Sequence, residues 1–156
     1  MKKRRIKELA CVVILLIFVV VLMTQDKEST AEPQTVFEAV QSSVDTEALT
    51  ACADERIRKE FNIDPRTFDY VGYLASDSIM EVREILLIRL SPDSDKDALL
   101  EKLKARVDDK AALFSGYAPE QSGYLESYAL LTRGGYVLFV VSDTPDDAVR
   151  AFKKAL

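Results

Sequence analysis

Histidine is absent from this 156-residue chain. Its absence removes Ser-His-Asp and Cys-His catalysis, the commonest zinc sites and the usual proton shuttle near neutral pH. Glycine is scarce too. Of five, only Gly134 and Gly135 are adjacent, so no glycine-rich loop can cradle a phosphate. The two cysteines, Cys11 and Cys52, stand in segments of different character, so no disulfide is expected within the folded part. Positive charge is also in short supply. Beyond Met23 there are 16 Lys/Arg against 25 Asp/Glu, which argues against nucleic acid as a partner. Chemistry would have to rest on carboxylates, Tyr, Lys, Ser or Cys52, and no cofactor or metal is expected.

The strongest positive signal lies at the start. Residues 1–8 carry Lys2, Lys3, Arg4, Arg5 and Lys7, and residues 9–23 follow without a charge. Twelve of those fifteen residues are Leu, Ile, Val or Phe, worth roughly −4 to −7 kcal/mol of insertion free energy. The run is expected to be an uncleaved transmembrane signal anchor, with the lipid bilayer as its partner. A cleaved signal peptide would need small residues just beyond the run, where Met23, Thr24, Gln25 and Asp26 stand. A lipoprotein signal would need its Cys after the run, whereas Cys11 is near its beginning. The expected location is therefore the cell membrane: single-pass, N-terminus cytoplasmic, and the rest extracytoplasmic. Residues 24–35 read as a polar tether and 36–156 as one domain, long enough to bury its own core.

Within that domain the hydrophobic pattern gives the order ααββαββα. Val36, Phe37, Val40 and Val44 mark a first helix, and Leu49, Cys52, Ile57 and Phe61 a second, stopped before Pro65. Cys52 reads there as a small buried helix residue rather than a reactive thiol. Phe68 to Ala75 and Val82 to Leu90 form one hairpin. Tyr128–Arg133 and Tyr136–Ser142 form another, turned by Gly134-Gly135. Between them runs a long amphipathic helix over about 95–114, and Thr144-Pro145 opens a last one. The expected fold is α+β: a four-stranded antiparallel sheet of two hairpins with helices packed on one face.

Several stretches together carry a resemblance. They are the strand Glu84-Ile85-Leu86-Leu87-Ile88-Arg89-Leu90, the amphipathic helix, the loop Tyr117-Ala118-Pro119-Glu120-Gln121 and the pair Gly134-Gly135-Tyr136-Val137. In this order they resemble an uncharacterised domain-of-unknown-function family of Gram-positive bacterial secreted lipoproteins and membrane-anchored proteins. The resemblance implies an extracytoplasmic bacterial domain and no activity.

Few residues invite a chemical reading. Asp93-x-Asp95-x-Asp97 opens like a calcium loop, but Ala98 replaces the required glycine and Lys104 the closing glutamate. A helix start with Ser94 as cap explains the same acids. Glu84 shares a strand side with Val82, Leu86, Ile88 and Leu90, so it is a carboxylate on an apolar face. It needs a partner, for which Arg133 or a tyrosine hydroxyl is the candidate. Tyr117, Pro119, Glu120 and Tyr124 form a candidate surface for an envelope protein or a glycan, against the plainer reading that the tyrosines cover the end of the core. The expected function is a non-catalytic binding or assembly module at the bacterial cell envelope. The alternative is a carboxylate-dependent hydrolase of envelope polymers, which requires two carboxylates about 5–9.5 Å apart in a cleft.

Overall fold

A computed structural model describes residues 13–16 and 28–156. The chain enters at Ser29, whose N–H bonds the Gly134 carbonyl. Helix α1 (Pro33–Gln41) follows, opened by the Glu32 carboxylate on the Thr35 N–H and by Pro33 at the first turn. Strand β1 is only Thr50–Ala51, and α2 (Asp54–Phe61) ends at Asn62 in the left-handed region. A 3-10 turn at Pro65–Thr67 leads into β2 (Tyr70–Ala75) and β3 (Glu84–Arg89). The long α3 (Lys96–Phe114) is capped by Asp95 rather than Ser94, and α4 spans Pro119–Glu126. A tight turn with Gly134 and Gly135 both at positive φ joins β4 (Ala129–Arg133) to β5 (Tyr136–Val141). Helix α5 (Pro145–Ala155) closes the chain.

The strands form one antiparallel sheet in the order β1-β2-β3-β5-β4. It has five strands where the sequence predicts four. The added strand is two residues inside a run that reads as helix. A two-residue strand has no alternation to detect, and it exists because the open edge of β2 takes up its backbone, with Thr50 opposite Ala75 and Ala51 opposite Leu74.

Helices cover both faces, not one. Leu86, Ile88, Val137 and Phe139 point to the face under α2, α3 and α4. Ile85, Leu87, Leu138 and Val140 point to the other, against Val36, Val40, Ala148 and Phe152 of α1 and α5. The cause is in the strands: β3 and β5 are apolar at nearly every position, so each face carries a hydrophobic row that water would penalise. Gly72 lets α1 lie close on the sheet, since a Cβ there would come within 2.9 Å of the Phe37 ring.

The transmembrane expectation is corrected. Among the described residues no helix is long and apolar enough to cross a membrane. Of the run 9–23 only residues 13–16 are described, and they are helical. The remainder of the run lies outside the described residues. A single-pass topology, with residues 1–8 and the domain on opposite sides of a bilayer, is thus not supported.

Candidate functional site

Glu84 begins β3, with its side chain on the face beneath α3, and it is fully buried. Opposite it on β2 is Ala75, whose small side chain leaves room. Tyr73, two pairs further along and so on the same face, donates its hydroxyl to Glu84 Oε2 at 2.7 Å. The helix supplies the cations. Arg106 and Lys110 are one turn apart on the flank of α3, so both reach the same carboxylate. Arg106 donates Nε to Glu84 Oε1 at 3.0 Å and Nη2 to Oε2 at 2.8 Å, and Lys110 Nζ donates to Oε1 at 3.2 Å. The remaining edge of the guanidinium goes to α2, where Nη1 meets the Glu60 carboxylate at 2.6 Å and the Glu60 carbonyl at 3.1 Å. Its flat face rests 4.5 Å above the Phe61 ring.

The protonation states follow from this packing. Burial alone would push the Glu84 carboxyl up, but the Arg106 and Lys110 charges, with hydrogen bonds from Arg106 and Tyr73, hold it below the usual carboxylate range. Burial also pushes the Lys110 ammonium down, and Glu84 only partly restores it. Burial, reinforced by Glu84, pushes the Tyr73 phenol up, so Tyr73 remains a donor at neutral pH.

A pH dependence results. Because the folded carboxyl titrates below the ordinary glutamate value of 4.5, its contribution to stability is complete above that pH and lost as pH falls through the folded value. Denaturation midpoints of the wild type are expected to fall more between pH 6 and pH 3 than those of Glu84→Gln. Parallel curves for the two would refute the assignment.

Above this buried cluster lies a cleft of about 210 Å³ between α3 and the loop from Ser76 to Arg83. Arg106, Lys110, Arg83 and Arg56 line it with their partly buried side chains, and the exposed Ile79 and Leu113 stand at its mouth. Arg56 is tied to Asp77 at 2.7 Å and Arg83 to Glu81 and Asp45, each at 3.0 Å. Ile79 is 90% exposed, Leu113 69%, Tyr117 56% and Met80 53%. Tyr117 stacks on Phe114, a residue of the cleft wall, with centroids 5.6 Å apart.

The residues singled out in the sequence separate. Tyr117 comes to the cleft rim. Pro119 starts α4, and on that helix Glu120 accepts from the Tyr124 hydroxyl at 2.7 Å; none of these three lines the cleft. Arg133 ends β4 beside Tyr136, at the far end of the sheet from Glu84, so Tyr73 is the protein hydroxyl that meets it. Cys52 lies just after β1, half-buried rather than within a helix, and burial pushes its thiol up. A larger hollow of about 570 Å³ lies beside the start of α3 and includes Asp93 and Asp95. Asp95 is spent on the Ala98 N–H, and among the described residues no three potential ligands are placed to hold a metal ion. Sequence reasoning missed Arg106, Lys110, Ile79 and Leu113. The spacing of Arg106 and Lys110 on one flank of an otherwise apolar-faced helix was the available signal.

The fold and site together define an α+β domain with a five-stranded antiparallel sheet and a buried ionic cluster under an apolar-rimmed cleft. The chain belongs to a family described as a domain of unknown function, DUF4358, whose family model matches residues 42–142. That span holds all five strands, the Glu84 cluster and the cleft, while α1 and α5 fall outside it. The resemblance read from the sequence is met at this level, without the lipoprotein setting. No curated protein and no solved structure matches the chain.

Proposed function

We propose that this domain is a non-catalytic binding module that receives a partner at the cleft mouth. One observation carries the reading. From Glu28 to Leu156 the large apolar side chains left exposed are Ile79, Met80, Leu113 and Tyr117; Ile79 and Leu113 line the cleft, Met80 follows Ile79 in the chain and Tyr117 stacks on Phe114 of the cleft lining. Single exposed apolar residues scattered over a surface need no explanation; a gathered set marks an interaction site. Aromatic and aliphatic anchors around a small depression are the usual centre of such a contact.

The hydrolase alternative has less support. A general acid needs a carboxyl that keeps its proton near the working pH, and Glu84 is held down by Arg106 and Lys110. With its side chain 1% exposed, it also has no surface on which to meet a polymer. The neighbouring Glu60 carboxylate is spent on the same guanidinium.

A photoreactive residue at Leu113 of the full-length chain, activated in the cells that make it, is expected to give a discrete adduct. Introducing Ile79→Asp should abolish that adduct. An adduct unaffected by Ile79→Asp, or none at all, would remove the reading.

A further inference from the structure

We infer that the cleft recognises a partner segment in which an apolar side chain is flanked by a carboxylate, the apolar group lodging between Ile79 and Leu113 and the carboxylate meeting Lys110. This rests on the binding role just proposed and specifies its partner.

Size is the first argument. Small-molecule and cofactor sites run to roughly 300–1,000 Å³, and this cleft is about 210 Å³, room for a side chain or two rather than a cofactor. The exposed Ile79 and Leu113 at its mouth, with Phe114 behind them, make that first contact apolar.

Hydrogen-bonding capacity is the second. The acids of the cleft are already matched: Asp77 by Arg56, Glu81 by Arg83, and Glu60 by Arg106. Arg106 has donors on Glu84, Glu60 and Tyr73. Lys110 differs. It has three N–H donors, and its protein acceptor is Glu84 Oε1, an oxygen it shares with Arg106. An ammonium drawn out of water with donors to spare gains from a second carboxylate, and that bond strengthens as the partner excludes solvent. A basic segment would bring its charge against Lys110, Arg56, Arg83 and Arg106 and would find the neighbouring carboxylates already engaged with those cations.

The test uses the full-length chain, labelled for residue-resolved NMR and titrated with blocked tetrapeptides. Acetyl-Gly-Leu-Asp-Gly-amide is expected to shift Ile79, Lys110 and Leu113 saturably. The Leu-Asn counterpart should bind roughly tenfold more weakly, the loss of one charge-assisted hydrogen bond. Lys110→Gln should erase the Asp-over-Asn preference, and Leu113→Ser, at an exposed position that does not threaten folding, should weaken both peptides. Equal binding of the Asp and Asn peptides, or no saturable shift at the cleft, would overturn the inference even if Lys110→Gln does not fold. Acetyl-leucine binding as tightly as the peptide would overturn it in favour of a small apolar acid. If these fail while the Leu113 adduct persists and depends on Ile79, carboxylate recognition falls and the binding role stands; if both fail, both are lost.

Discussion

Arg106→Met should cost the domain about 3–5 kcal/mol, a large part of the roughly 5–15 kcal/mol that holds a protein of this size folded. The cost comes from what remains rather than from the bond removed. Without the guanidinium, Glu84 keeps Tyr73 and a single bond from Lys110, inside a layer built of Leu86, Val137 and Phe139. A carboxylate so placed must either stay charged with too few partners or take up a proton at a pH where the unfolded chain would not. The helix suffers as well, because Arg106 ties α3 to the Glu60 carboxylate and carbonyl of α2. Replacing both residues, Glu84→Leu with Arg106→Met, removes the stranded charge and should recover part of the loss. Urea denaturation of the two variants decides the matter. A single variant within 1 kcal/mol of wild type, or a double variant less stable than the single, would show that the cluster is not what secures this end of the sheet.

The same cluster shows what the sequence makes legible and what it hides. Glu84 stands out because a strand alternates, and one acid among Val82, Leu86 and Ile88 breaks the pattern. Its partners are 22 and 26 residues further on, and only the crossing of α3 over the sheet brings them to it. Pattern reading finds a periodic face; it does not give the angle at which that face is laid down. The long helix, the Gly134-Gly135 hairpin and the Pro145 helix start were legible because hydrophobic period, turn glycines and a proline in the first helical turn are local signals, although Asp95 rather than Ser94 caps the long helix and Thr144 makes no side-chain cap bond. Strand β1 was not, since its existence depends on the edge of β2 rather than on Thr50 and Ala51 themselves. The cleft hid for a similar reason. Ile79 and Leu113 look like ordinary members of a loop and a helix until the fold places them across a gap from each other.

Leu138→Ala is expected to destabilise the domain by about 2–5 kcal/mol, and it distinguishes the observed layering from the one the sequence suggests. In a sheet with helices on one face only, alternate residues of β5 would look outward, and truncating one of them would cost little. Phe139 faces α2 and α4 and packs near Phe61 and Tyr128, with centroids 6.2 and 6.0 Å away. Leu138, its neighbour in the chain, points the opposite way and is equally buried, within the layer formed by Val36, Val40, Ala148 and Phe152. Those four come from the first and last helices of the described domain, so the layer closes only when the two ends of that domain meet; Tyr136 adds to the closure by donating its hydroxyl to the Ala31 carbonyl at 2.6 Å. Removing three carbons from Leu138 therefore leaves a void between elements more than a hundred residues apart in sequence, where little can collapse to fill it. Equilibrium unfolding in urea gives the number. A loss below 1 kcal/mol would mean that α1 and α5 do not seal this face, and that the sheet has one packed side after all.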